Sequence, residues 1–315
     1  MNDAVEHRHS HTVFSADPRP VLGVAEGQVF RLEARSLLTD GAFERSRDYT
    51  DLAIPVTGPV LFEGVAAGEV VRVQVHAIDI ADRGAMVTLP GRGGFSAPLA
   101  TAGRIVPIVD GHARFAEGFD VPVRPMVGKI GVGVPGPAPD SSTVGLHGGN
   151  IDCKDLTAGA SILLTAQVDG AAFYAGDLHA CQGDGESSLT AVEIEGVVTL
   201  SWHRVDLPPA LFPRPVVLTA DERVLMIGDG PDLGAAATTA LDDLQRLLVW
   251  ALGWTPEEAA MFISIAADLG VCQVVNARAS AKAGLPATYL RDSSAAALVG
   301  LGSRAVLEGQ PTHWR

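Results

Sequence analysis

Two short stretches bring together residue types that can do chemistry. The first is His147-Gly148-Gly149-Asn150-Ile151-Asp152-Cys153-Lys154. The second is Gly176-Asp177-Leu178-His179-Ala180-Cys181-Gln182-Gly183-Asp184-Gly185-Glu186. Asp177 and His179 are two residues apart, so in a strand both point to one face, as two ligands of one metal ion would. Gly183 and Gly185 free the chain to return Glu186 to that face. Gly148 and Gly149 permit a sharp turn that carries Asn150 and Asp152 inward, across from His147. Taken singly, each stretch has a plainer reading. One is a Gly-Gly turn with an Asx-type hydrogen bond from Asn150; the other is a hairpin turning at Asp184-Gly185. Their recurrence within 40 residues favours a shared site.

The charge distribution points the same way. The 315 residues carry 23 Lys and Arg against 37 Asp and Glu, a net charge of −14. Between residues 151 and 196 lie eight of the acidic side chains and a single basic one, Lys154, which is half of that net charge. Carboxylates woven among Leu, Val and Ala repel each other unless something positive sits between them. A divalent cation is the simplest candidate. The pI near 5.0 argues against nucleic acid and anionic membrane as partners.

These residues need elements to hold them. Val29–Ala34, Glu69–Ile80 and Ala85–Leu89 alternate as strands, and so do Ser161–Val168, Ala171–Ala175, Ala191–Leu200 and Val216–Thr219. Val71, Val73 and Val75 share one face of their strand; Arg72 and Gln74 share the other, which reads as solvated. The run Gly128–Asp140, rich in Gly and Pro, reads as a connector. The segments 63–69 (EGVAAGE) and 169–177 (DGAAFYAGD) echo each other, and a duplicated sandwich is one reading of that echo. Leu241, Leu244, Leu247 and Leu248 predict a helix over Ala235–Trp250. Thr255-Pro256-Glu257-Glu258 predicts the start of another, running to about Ala267, and Leu269–Val275 a strand after it. The sequence thus predicts a mainly β fold of two β-sandwich-like units, 1–135 and 136–220, the second carrying the site motifs, with a C-terminal α+β portion, 221–315.

HGGNIDCKDLTAGASILL followed by GDLHACQGDGE resembles the acetamidase/formamidase family. GPVLFEGVAAGEVVRVQV, MVGKIGVGVP and DLGVCQVVN are also similar to family segments, so the resemblance spans most of the chain. It implies hydrolysis of a small amide to carboxylate and ammonia, a divalent metal in the site, and two β-sandwich units with an α+β addition. The motif positions it marks here are His147, Asn150, Asp152, Asp177, His179, Gln182 and Glu186.

The expected mechanism puts Asp152, Asp177 and His179 on the metal, zinc first, with calcium or manganese as alternatives. Zinc lowers the pKa of water to roughly 7 and polarises a carbonyl. Glu186 would be general base and then proton donor. His147 would be a further ligand or oxyanion stabiliser, and Asn150 or Gln182 would hold the amide. The histidine run His7, His9, His11 either reaches the site or forms a tail. One rival is a Cys153 nucleophile beside Lys154. Another is a non-enzymatic β-sandwich module that binds a metal or small ligand. No run reaches the roughly 18 apolar residues of a membrane span, and the polar N-terminus lacks a signal-peptide core. Three cysteines at wide spacing fit a reducing compartment. The expectation is a cytoplasmic protein, and β-sandwich edges favour a homo-oligomer.

Overall fold

Val70–Thr88 is the strand around which the sheets assemble. In the computed structural model, which describes residues 4–16 and 19–299, its first half has an antiparallel neighbour on each side. Ser161–Thr165 takes one side and Glu193–Val205 the other. Beyond the first lie Val216–Leu218, Arg223–Gly230, Ala279–Pro286 and Asp268–Gln273. Beyond the second lies Phe30–Ala34. All these pairings are antiparallel.

A second path runs through Gly148–Asn150, Met126–Val132, Phe173–His179, Val56–Phe62 and Leu22–Val24. It joins the first where Leu178 and His179 pair with Ile194 and Glu193. Phe62 of this path stacks on Trp202 of the first, ring centroids 4.9 Å apart. The one large sheet therefore curls so that these two paths face each other over one apolar core. The fold is mainly β, as expected. The echoing segments touch: Phe62 N–H donates to Gly170 O at 2.9 Å, and Gly170 N–H to Val65 O at 2.8 Å.

The two long helices both fall in the C-terminal portion. Leu233–Leu252 is capped by Asp232, whose side chain accepts from Ala235 N–H, and it buries Leu244, Leu247 and Leu248. Pro256–Ala266 starts with the expected capping box, Thr255 and Glu258 bonding each other's backbone. Together they cover the outer strands with a separate apolar core. Among the described residues no helix is long and apolar enough to cross a membrane.

Two expectations are corrected. Met126–Val132 is not a connector but a fully buried strand. Its glycines make room rather than turns. A Cβ at Gly131 would sit 2.5 Å from His147 O, and one at Gly128 would sit 2.7 Å from Asp152 Oδ1. Arg72 is not solvated. It is buried, donates through Nε to Ser161 Oγ at 3.0 Å and bonds Gln74, and burial lowers its pKa to about 10. The alternation of Val70–Val75 separates an apolar buried face from a hydrogen-bonded buried face, where Ser161 Oγ and the Gly159 and Ala160 carbonyls bond Arg72 and Gln74.

Trp202 is fully buried, and its Nε1–H donates to Val24 O at 3.0 Å. Trp202→Ala is expected to lower the unfolding free energy by about 3–5 kcal/mol, read from the urea midpoint. A loss under about 1 kcal/mol would mean the two paths do not depend on this contact.

Candidate active site

The neighbours of one glycine-rich strand build the site. Met126–Val132 pairs with Gly148–Asn150 on one side and Phe173–His179 on the other, setting Lys129 beside both Asn150 and Gly176. After Asn150 the chain turns, and Ile151 and Asp152 N–H both donate to Gly128 O at 3.1 Å. Gly128 faces Asp152, the Asp177 carbonyl and the His179 ring; any side chain there would displace them. Glu193 enters from the next strand, directly opposite His179. Glu186 arrives from the Gly183–Gly185 loop, as its glycines predict.

The result is a cluster of four carboxylates (Asp152, Asp177, Glu186, Glu193) with His179 and Lys129, each more than nine-tenths buried. His179 Nε2 lies 3.1 Å from Glu193 Oε2 and 3.5 Å from Asp177 Oδ1. Lys129 Nζ lies 3.2 Å from Asp177 Oδ2 and donates to Ile54 O at 2.7 Å. Ala191 N–H donates to both Glu186 Oε1 and Glu193 Oε1, each at 3.0 Å. Two overlapping sets bring ligand atoms within 4.8 Å of one another: Asp152, His179 and Glu186, and Asp177, His179 and Glu193. Asp152, Asp177 and Glu186 all adopt left-handed backbone, with φ of 50°, 57° and 46°. Such conformations cost about 1–3 kcal/mol each and persist where the surroundings enforce them, typically at functional sites.

Gln182 does a different job from the one expected. Its Nε2 donates to Asp152 O at 2.7 Å, so its Oε1 faces His179 Nδ1 at 2.8 Å. His179 must then carry a proton on Nδ1, leaving Nε2 to face the carboxylates. A bare lone pair there would be repelled by two anions. Asp152 Oδ1, Asp177 Oδ1, His179 Nε2 and Glu193 Oε2 are all buried without a hydrogen bond. Asn150 Oδ1 is in the same condition. Such atoms ordinarily have partners.

Electrostatics follow from this crowding. Burial, with Asp177 nearby, raises the Asp152 carboxyl to about 7. Burial likewise raises Glu193 to about 7 and Glu186 well above its ordinary range, with Asp152 adding to it. Burial would raise Asp177 too, but Lys129 and His179 outweigh it and hold that carboxyl down. Burial opposes charge on His179 and Lys129, yet Glu193 and Asp177 keep both pKa values raised.

A cavity of about 340 Å³ opens onto this cluster, lined by Lys129, Asn150, Asp152, Asp177, Glu186, Glu193 and Asn276 among others. Asn276 Nδ2 is 3.5 Å from Asp152 Oδ2. His147 is not brought into the cluster. Its ring packs edge-on against Phe14 at 5.0 Å, and burial lowers its pKa to about 4. Cys153 is buried, its Sγ 3.8 Å from Asp155 Oδ2, and it does not line the cavity. The N-terminal histidines lie in an ordered segment: His7 pairs with Glu33 at 3.0 Å, His9 is half-buried, and His11 sits edge-on to Tyr174. None of the three joins the two ligand sets.

The fold recurs in known proteins. Residues 141–288 match the Acetamidase/Formamidase family. The crystal structure of a predicted acetamidase/formamidase from the thermophile Thermoanaerobacter tengcongensis is 30% identical, with a TM-score of 0.86, over 91% of this chain and 96% of that one. The chain belongs to the acetamidase/formamidase family. An acetamidase of Mycolicibacterium smegmatis is 42% identical over 138 residues, which is 37% of this chain and 34% of that protein. A putative formamidase of Schizosaccharomyces pombe is 46% identical over 55 residues, 17% of this chain and 13% of that protein. The chain thus matches about a third of the length of one of these curated relatives and less of the other. The family match includes every clustered residue except Lys129, which precedes it.

Lys129 and Glu193 are the two clustered residues that sequence reasoning missed. A lone lysine in an apolar, glycine-rich run was the available signal for the first. The second is signalled only by its register opposite His179.

Burial makes stability depend on pH. Asp152 and Glu193 have folded pKa values raised above the ordinary 3.8 and 4.5 to about 7. Between pH 4 and 7 the folded chain holds protons that the unfolded chain has released, so stability falls as pH rises through that window. In chelator-treated protein, Tm is expected to be higher at pH 5.5 than at pH 8. A Tm that rose across this interval would contradict the assignment.

Proposed function

We propose that the protein hydrolyses a primary carboxamide of the formamide or acetamide type to carboxylate and ammonia, with a divalent cation held in the cluster. The amide comes from the names its relatives carry. The observation that carries the cation is the convergence of buried ligand-type atoms on His179 in two overlapping sets, one with Asp177 and Glu193, the other with Asp152 and Glu186. Four carboxylates outnumber the single positive charge of Lys129 when the imidazole is neutral, as a metal ligand must be. One imidazole suits zinc, and the carboxylate excess equally suits manganese or calcium. Asp177, His179 and Glu193 would hold the ion, as one of the two sets; Asp152, expected beside them from the sequence, belongs with Glu186 to the other.

When bound, such an ion supplies Lewis acidity, making water more acidic and the carbonyl carbon more electrophilic. The protein supplies the rest. Glu186 lies at the cavity wall and takes the proton of the attacking water as the new C–O bond forms. It returns that proton to the amide nitrogen as the C–N bond breaks. The Lys129 ammonium has two contacts, to Ile54 O and Asp177, and its third N–H is available to the developing oxyanion. Asn150 Oδ1 offers an acceptor to the substrate N–H. Gln182 acts through His179, fixing which ring nitrogen faces the cluster.

Ammonia release from formamide and acetamide, with zinc, manganese or calcium and after chelation, tests the reading. Release that stops on chelation and survives iodoacetamide is expected. Glu186→Gln should lower kcat by about 10²–10⁴-fold while the protein still binds the ion. Full activity in that variant would refute its acid–base role. Ion binding without release from any amide would favour the metal-binding module instead.

A further inference from the structure

The hairpin formed by Asp268–Gln273 and Ala279–Pro286 ends at the rung where Gln273 pairs with Ser280. Both members of that rung are fully buried polar side chains. Ser280 Oγ donates to Ile151 O at 2.8 Å, one residue before Asp152. Gln273 directs its carboxamide at the loop that closes the hairpin, residues 274–278. Its Oε1 accepts from Val275 N–H at 2.9 Å and from Asn276 N–H at 3.1 Å, and its Nε2 donates to Arg278 O at 2.7 Å. A buried amide is costly unless it is bonded, and an apolar residue would fill the position without that requirement. All three bonds fix the shape of the loop.

Asn276 is the residue of this loop that lines the cavity. Its Nδ2 faces Asp152 Oδ2 at 3.5 Å, the orientation that a carboxylate neighbour selects. The hairpin end also anchors the loop that carries Glu186. Gly185 N–H donates to Cys272 O at 3.0 Å, and Val274 N–H to Gly185 O at 3.1 Å. Those backbone bonds precede Val275. Removing the Gln273 side chain therefore leaves them in place and frees the part of the loop that bears Asn276. Arg278, whose Nε donates to Asp229 Oδ2 at 2.8 Å, holds the far end of the loop.

We propose that Gln273 is a positioning residue for the reaction and acts through Asn276: it locks the 274–278 loop so that the Asn276 amide holds the Asp152 carboxyl in place beside Glu186. This rests on the amide-hydrolase reading above and brings the C-terminal portion into the site. A misplacement of about 1 Å at a reacting centre costs up to about 10²-fold in rate, so a brace outside the cavity has a kinetic effect.

The test is a double-mutant cycle of Gln273→Met, which keeps the volume and removes the bonds, with Asn276→Ala. It is read as kcat and KM for formamide and acetamide and, separately, as Tm. Each single variant is expected to lower kcat by about 10- to 10²-fold with KM within about threefold. The double variant should fall no more than about threefold below Asn276→Ala in kcat, because Gln273 then has nothing to position. Its Tm should still drop by the amount that Gln273→Met causes alone. Gln273→Glu, which keeps an acceptor for the two N–H groups, should recover most of the kcat lost in Gln273→Met. Multiplied losses in the double variant, or a Gln273→Met kcat equal to wild type, would overturn the proposal and leave amide hydrolysis standing. Residue-resolved hydrogen exchange on the wild type makes the test independent of turnover and of any variant's folding. Corrected for intrinsic rates, Val275 and Asn276 N–H should exchange at least about 10²-fold more slowly than the N–H of exposed Ala277. Equal rates would overturn the brace. Slow exchange in a protein that releases ammonia from no amide would uphold the brace and sink the hydrolase reading.

Discussion

Four carboxylates buried around one imidazole are the constraint on which the rest of this structure depends. Anions removed from water must be neutralised, protonated or separated. Here they are not separated: Asp152, Glu186, Asp177 and Glu193 reach His179 from four different segments of chain. Lys129 answers one of them, Asp177. The others are left to protons or to an ion, and that choice sets both the pH response of the fold and the chemistry of the site.

Holding such a cluster requires a scaffold that cannot relax away from it. The strand Met126–Val132 is buried along its whole length and paired on both sides. Its neighbours therefore cannot spread to relieve the repulsion. Gly128 brings the backbone close enough for Asp152 and His179 to share one space. The left-handed conformations of Asp152, Asp177 and Glu186 turn these side chains inward where regular strand geometry would alternate them. A fused sheet system with one continuous core supplies the stability that such strain and repulsion consume.

What the sequence made legible follows from whether a signal was local. Asp177 and His179 are legible because two-residue spacing in a strand is a local rule, and Glu186 because glycines mark a returning loop. The capping box at Thr255 and the leucine periodicity before it are local in the same sense. Lys129 was hidden because glycines suggest turns, whereas here they serve close packing between strands. Glu193 was hidden because its role depends on cross-strand register with His179, a long-range fact. Gln182 looked like a substrate contact because its neighbours are polar, yet both ends of its amide bond within the protein. His147, adjacent in sequence to the turn that delivers Asp152, faces Phe14 instead. Proximity in sequence put it beside the site without turning its ring toward it.

Charge counting connects the proposed ion to the proposed proton transfers. Four carboxylates set against Lys129 leave three negative charges with the imidazole neutral. On the proposed reading, one dication would cancel two of them and a single proton the third. Asp177 does not take that proton, because Lys129 holds its carboxyl down. Glu193 faces His179 directly. Asp152 and Glu186 belong to one ligand set, and burial raises both carboxyls, so a single proton would cost least there. A pair sharing one proton presents an acceptor and a donor together, which is what water attack and ammonia departure require in turn. On that reading, the excess acidity of the sequence, the crowded carboxylates of the core and the proposed order of proton transfers would have one electrostatic origin.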